Sequence, residues 1–121
     1  MKKILVIEDE EFVRDNLVEL LELEDYDVIS AVNGLEGTQL AHTHLPDLIL
    51  CDVMMPLLDG YQVLQALKQD AATATIPFVF LTAKSRLADI ECGLAIGADA
   101  YLTKPYTATE FLSVITQLIP R

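Results

Sequence analysis

A chain of 121 residues, 52% hydrophobic and 22% charged, fits one globular unit with a real core and excludes a disordered segment. Nineteen acidic against eight basic residues give a net charge of −11, so this unit is not expected to grip nucleic acid, which proteins hold by Lys and Arg at phosphates. No apolar run approaches the ~18 residues of a membrane span, the start Met1-Lys2-Lys3-Ile4 has no signal-peptide core, and Cys51 and Cys92 are too few for a disulfide framework, which points to a reducing, cytoplasmic setting.

Residues 3–7 read as a buried strand. From Glu10 to Leu23, the residues Val13, Leu17, Leu20 and Leu21 recur at i, i+4, i+7 and i+8, with Arg14, Asp15, Glu19 and Glu22 mostly opposite. That spacing predicts an amphipathic helix. Asp27–Ala31 is a short β-rich piece; Asn33-Gly34 breaks it, and a weaker helix runs to His44. Pro46 separates that helix from the strand Leu48–Cys51. Asp59-Gly60 makes a turn into a helix over Tyr61–Gln69, with Leu64 and Leu67 inward. Pro77 opens a strand over Phe78–Leu81, a position proline tolerates. A weak helix over Leu87–Ile96 closes at Gly97. Ala100–Thr103 is a short strand, and Thr107–Ile119 a last helix capped by Thr107 or Thr109, with Phe111, Ile115 and Leu118 on one face.

Strands that alternate with helices predict a parallel sheet covered on both faces, and the continuously apolar strands agree. Residues 1–121 show no repeat, linker or low-complexity segment and read as a single domain.

The strand ends carry the chemistry. Ile4–Ile7 runs into Glu8-Asp9, Leu48–Cys51 runs into Asp52, and two later runs end in Thr82 and in Lys104-Pro105. In open α/β sheets, ligands bind outside the carboxyl ends of the strands. If the first and third strands are neighbours, Glu8, Asp9 and Asp52 form a three-acid cluster. Like charges about 5 Å apart repel by roughly 3 kcal/mol at an effective dielectric near 20, so protons or a divalent cation must offset them. Oxygen ligands without His or Cys suit Mg²⁺ or Mn²⁺. Lys104 adds a positive point charge and Thr82 a hydroxyl donor. These are the parts that hold a phosphoryl group in line, with Asp52 as the candidate nucleophile.

Taken singly, each feature has a plainer reading. Glu8-Asp9-Glu10-Glu11 could favour a helix N-terminus through the macrodipole, and Asp52 could simply end a strand. Thr82 could be a loop hydroxyl, Lys104 a surface lysine before a turn proline, and Tyr101 an ordinary strand aromatic. Their joint delivery to one edge points to a site. His42 and His44 lack an acidic partner at helical spacing and read as exposed helix residues, neither phosphodonor nor metal pair. Cys51 and Cys92 read as buried or inert.

Four motifs in order then resemble the receiver domain of two-component response regulators, chemotaxis-regulator-like, across residues 2–119. They are Glu8-Asp9; Asp52-Val53-Met54-Met55-Pro56 with Asp59-Gly60; Leu81-Thr82-Ala83; and Gly97 through Pro105. The resemblance implies a flavodoxin-like (βα)5 doubly wound, five-stranded parallel sheet of order 2-1-3-4-5. It implies that Asp52 accepts a phosphoryl group from the phosphohistidine of a sensor histidine kinase or a phosphotransfer protein. Glu8, Asp9, Asp52 and the Met54 backbone carbonyl would hold the Mg²⁺, and Thr82 and Lys104 would contact the phosphoryl oxygens. Thr82 and Tyr101 would move together as a switch that alters the face of the fourth helix, fifth strand and fifth helix, a face also suited to a homodimer. The Lys104-Pro105 bond is frequently cis in such chains. Met54 and Lys84 occupy positions that tune phosphoryl lifetime, and the apolar Met54 side chain implies slow self-dephosphorylation.

Such a unit is a signalling switch that catalyses only its own phosphorylation and dephosphorylation, not an enzyme with a separate product. A receiver-like docking module that is never phosphorylated is disfavoured by the complete set Glu8, Asp9, Asp52, Thr82 and Lys104. An aspartyl phosphatase would need a second acid at the position of Met54. Glu8 to Glu11 would repel a flavin phosphate, and no Walker-type lysine loop is present.

Overall fold

The computed structural model describes residues 1–120. In chain order the elements are β1 (Lys3–Ile7), α1 (Glu11–Leu23), β2 (Asp27–Ala31), α2 (Gly34–His44), β3 (Leu48–Cys51), α3 (Gly60–Lys68), β4 (Phe78–Thr82), α4 (Leu87–Ile96), β5 (Ala100–Thr103) and α5 (Ala108–Leu118). All neighbouring strands pair in parallel, in the order β2-β1-β3-β4-β5. The expected flavodoxin-like doubly wound sheet is what the chain forms.

The two-residue period of a strand sorts the apolar side chains between two faces. Leu5, Ile7, Ile49, Cys51, Phe78 and Phe80 pack with Val63, Leu64 and Leu67 of α3 and Ala41 of α2. Ile4, Val6, Leu48, Leu50, Val79 and Leu81 pack with Leu17 and Leu21 of α1 and with Phe111 and Ile115 of α5. Burying both faces explains why the inner strands carry unbroken apolar runs.

Register aligns the strand ends. Ile7 lies opposite both Ala31 and Cys51, so Glu8 and Asp52 leave the sheet side by side. Cys51 lies opposite Phe80, and Thr82 opposite Thr103, which sets Thr82 and Lys104 at the same edge.

The boundaries differ from the sequence reading at a few ends. Glu10 is the N-cap of α1 and makes no side-chain cap hydrogen bond, so the helix starts at Glu11. Asp59-Gly60 is more than a turn: Asp59 caps α3 in a reciprocal capping box with Gln62, and the helix begins at Gly60 and ends at Lys68. Gly60 lies so close to the β3 exit that a Cβ would overlap the Asp52 carbonyl and sit 2.8 Å from the Val53 Cα. β4 runs one residue further than expected, to Thr82. Thr107, not Thr109, caps α5, with Glu110 completing the box. Gly97 closes α4 at φ +123°, a conformation that glycine reaches without a Cβ penalty.

Candidate functional site

Glu8 and Asp52 are both buried at the sheet edge, 2% and 8% exposed. Short backbone bonds fix their mounts: the Asp52 amide donates to the Ile7 carbonyl at 3.1 Å, and the Glu8 amide to Ala31 at 3.2 Å. The Glu8 carboxylate accepts from the Glu10 amide at 3.2 Å, and the Asp52 carboxylate from the Met54 amide at 3.1 Å. Glu8, Asp9 and Asp52 each offer a carboxylate oxygen within 4.8 Å of one another.

Lys104 reaches in from the far end of β5. Its Nζ lies 3.6 Å from Glu8 Oε1 and 3.8 Å from Asp52 Oδ2. The Lys104 amide also donates to the Thr82 carbonyl at 2.9 Å, so lysine and threonine share one mount. Thr82 is fully buried and its Oγ1 accepts from the Lys84 amide at 3.2 Å, which leaves its proton free to donate. The Lys104-Pro105 peptide is cis.

Three acids and one ammonium leave a net negative pocket. Burial pushes the Glu8 carboxyl up to about 7, with the charge of Asp52 adding to the rise and the Glu10 amide and Lys104 opposing it. A buried carboxylate of raised pKa is a group that gains by meeting a cation. All the side-chain donors are oxygen and no His or Cys is among them, which fits Mg²⁺ or Mn²⁺.

The structure brings Glu8, Asp9, Asp52, Thr82 and Lys104 to one edge. Met54 touches the pocket through its amide, while its side chain is 56% exposed. Lys84 is drawn elsewhere: its Nζ lies 3.7 Å from Asp89 Oδ1 in the first turn of α4. Tyr101 is half-buried, its hydroxyl donating to the Lys84 carbonyl at 3.0 Å. Its phenol is pushed up, first by burial and then by the neighbouring Tyr61 hydroxyl.

Several participants escaped the sequence reading. Arg14 was placed only on the polar face of α1, yet its guanidinium donates to the Glu8 carbonyl at 2.9 Å and braces the acidic turn. Tyr106 stacks on Phe111 with centroids 5.7 Å apart; its hydroxyl is pushed up by burial, then by the charges of Glu8 and Asp52. Tyr61 and Asp89 join Tyr101 and Lys84 in one network. The one cue for Arg14 was that it is the only basic residue within α1.

His42 is exposed and has no acidic partner within its own helix, as its spacing implies; an acid reaches it from beyond that helix, with its Nε2 2.7 Å from Asp70 Oδ2, past the end of α3. Cys51 is buried, and burial pushes its thiol well up, whereas Cys92 is exposed on α4.

An open parallel sheet with three carboxylates, a hydroxyl and a lysine at its carboxyl edge places the chain among doubly wound α/β domains with an acidic site at the strand ends. The sequence pattern of the response regulator receiver domain matches residues 4–116, and the chain belongs to that family. Among relatives, it is 42% identical to the DNA-binding dual master transcriptional regulator RpaA of Synechocystis, over 100% of this chain and 50% of that protein. It is 38% identical to protein PilG of Pseudomonas aeruginosa, over 98% of this chain and 87% of that one. The chain thus spans about half the length of several curated relatives that it matches. Among solved structures, the Francisella response regulator 1452 receiver domain superposes with a TM-score of 0.90 at 30% identity, covering 98% of this chain and 96% of that one. The chemotaxis protein CheY4 of Vibrio cholerae superposes at 0.92 and 26% identity, covering 98% and 99%.

Proposed function

We propose that this receiver is a phosphorylation-operated switch in which Asp52 takes a phosphoryl group from a phosphohistidine, on a sensor histidine kinase or a phosphotransfer protein. The observation that carries this reading is the buried Glu8–Asp52 pair bridged by the Lys104 ammonium at 3.6 and 3.8 Å. An Asp52 carboxylate oxygen attacks phosphorus, the P–N bond to the imidazole breaks, and the imidazole leaves with the electron pair. Lys104 and the free Thr82 proton then face the phosphoryl oxygens, whose charge grows as the bond forms. Glu8, Asp9, Asp52 and the Met54 carbonyl would hold Mg²⁺ or Mn²⁺, which when bound neutralises phosphoryl charge.

Phosphorylation would engage the Thr82 hydroxyl, and the contacts from Thr82 through Lys84 to Tyr101 would pass the change to α4, β5 and α5. Leu87 and Leu94 of α4 are exposed, and this face is where a partner or a second copy would dock. Beside Lys104 an open groove of about 470 Å³, lined by Phe12, Leu17, Pro105 and Tyr106 among others, adjoins the pocket and would seat a helix of the phosphodonor. No helix among the described residues is long and apolar enough to cross a membrane. We place the unit, residues 1–121, in the cytoplasm as a single receiver with no nucleic-acid contact of its own; the net charge of −11 supports the last of these.

Intact mass after incubation with acetyl phosphate tests the reading, with and without Mg²⁺, for the native chain and Asp52→Asn. One Mg²⁺-dependent phosphoryl adduct, absent in the variant, is expected. A folded native chain that binds Mg²⁺ and gains no adduct from acetyl phosphate or from a phosphohistidine donor would sink the proposal. Decay of the adduct reads its lifetime: the apolar Met54 side chain cannot orient an attacking water, so slow decay is expected, and loss within seconds would refute that part.

A further inference from the structure

Tyr61 in the first turn of α3 and Tyr101 in β5 lie 40 positions apart in sequence, yet their hydroxyl oxygens are 3.3 Å apart. Tyr61 donates to the Asp89 carbonyl at 3.0 Å, and Tyr101 to the Lys84 carbonyl at 3.0 Å. Two hydroxyl protons therefore serve three contacts. The two carbonyl bonds are the shorter, and the oxygen–oxygen contact at 3.3 Å lies past the usual range for a hydroxyl pair. Both rings lean on Phe80, with centroids 5.3 and 5.7 Å away. A Cβ on Gly93 would lie 2.9 Å from the Tyr101 ring, so the one buried residue of α4 rests directly on that ring. Asp89 adds ion pairs to Lys84 and Arg86, each at 3.7 Å.

The consequence is a continuous path. Tyr61 holds the first turn of α4 by the Asp89 carbonyl. Tyr101 holds the β4–α4 loop by the Lys84 carbonyl. The Lys84 amide reaches the Thr82 hydroxyl at the phosphoryl pocket at 3.2 Å. Where Tyr101 lies decides where α4 can lie, because Gly93 leaves no slack between them.

We propose that Tyr61 is a positioning residue of the switch: its hydroxyl clasps α3 to the first turn of α4 and keeps Tyr101 turned inward, so that the clasp and a phosphoryl group at Asp52 favour the same arrangement. This inference rests on the reading of Asp52 and Tyr101 given above. By linkage, a group that favours the inward arrangement raises phosphoryl affinity by the same factor as the phosphoryl group raises the clasp. One hydrogen-bonding group makes that factor about three- to tenfold.

Tyr61→Phe isolates the hydroxyl, because the ring stays against Phe80. The chain has four tyrosines, so fluorotyrosine labelling gives few resonances, and Tyr101→Phe identifies the one needed. The Tyr101 signal is read first without any phosphoryl mimic, then during titration with beryllium fluoride and Mg²⁺. In Tyr61→Phe the Tyr101 signal is expected to shift or split, and affinity for beryllium fluoride to fall about three- to tenfold. Mg²⁺ affinity, read separately, should not move, since a general loosening of the edge would change it. An unmoved Tyr101 signal overturns the clasp. A moved signal with unchanged mimic affinity overturns the coupling. A native chain that binds Mg²⁺ but not beryllium fluoride overturns the phosphoryl reading and the coupling with it, while the Tyr101 signal still decides the clasp.

Discussion

α3 and α4 lie on the same face of the sheet, but they are held there by different means. α3 buries Gly60, Val63, Leu64 and Leu67 and starts with a reciprocal capping box. α4 buries only Gly93 and has no side-chain cap, and β5 beside it is half-buried along its whole length. Packing fixes the first region; hydrogen bonds and ion pairs from Tyr61, Tyr101, Lys84 and Asp89 fix the second. Polar contacts of about 1 kcal/mol each can be exchanged for others at little net expense, whereas a buried leucine has one place to go. The acids that must stay within a few ångströms of each other leave the sheet beside the packed region. The face proposed to change lies in the other, as expected of elements drawn from the low-stability end of a structure.

Substitution of one leucine in each helix tests this contrast most strongly. Leu67→Ala in α3 removes a 1% exposed side chain from the core, and should lower unfolding free energy by about 2–5 kcal/mol. Leu94→Ala in α4, where the side chain is 45% exposed, should change it by less than about 0.5 kcal/mol. Urea denaturation reads both. Equal losses would mean that α4 is held by packing after all.

Glu8 provides the next effect, because burial sets it against the otherwise well-satisfied edge. Its folded-state pKa of about 7 exceeds the ordinary 4.5, so the folded chain holds the proton more tightly than the unfolded chain. Without divalent metal, the Glu8 contribution is therefore most favourable below the unfolded value and is lost as pH rises toward 7. Glu8→Gln keeps the hydrogen-bonding shape and cannot ionise. Between about pH 5 and pH 7.5 it should gain on the native chain by about 1–3 kcal/mol in metal-free solution. Saturating Mg²⁺ should reverse the order, since the cation stabilises only the ionised native site. A difference between the two chains that ignores both pH and Mg²⁺ would show that Glu8 is not the strained member of the pocket.

Elements on both sides of that contrast are legible in the sequence. Apolar runs that end in Glu8, Asp52 and Thr82 announce both the strands and the edge, because a parallel strand is apolar until it leaves the sheet. β1, β2, β3, β5 and α4 lie where the residue pattern put them. The misses are contacts whose partners are far apart in sequence. Tyr61 meets Asp89 across 28 positions and Tyr101 across 40, and no periodicity within one element encodes such a meeting. Arg14 was legible as a polar residue of α1 but not as the brace of the Glu8 carbonyl, since that depends on how the β1–α1 turn folds back. Asp59 read as a turn former, and its capping box with Gln62 was available in the spacing but was not drawn on.

His42 gives the smallest effect and marks where the packed region meets solvent. Its ring donates to the Thr38 carbonyl at 2.7 Å and meets Asp70 at 2.7 Å, with both side chains more than 40% exposed. The Thr38 carbonyl raises the imidazole pKa most; desolvation opposes it, and Asp70 adds to the rise. A raised histidine pKa stabilises the fold fully below the unfolded value of about 6.5, and the contribution disappears as pH rises through the folded value. His42→Gln should therefore be less stable than the native chain near pH 5.5 and equal to it near pH 8.5, with a gap within the range of exposed ion pairs, below about 1 kcal/mol. Added salt should shrink the gap at the lower pH, because exposed charges are screened within about 10 Å at moderate ionic strength. A gap that persists unchanged at the higher pH would assign His42 to packing between α2 and the end of α3, and would extend the packed region to the surface at that corner.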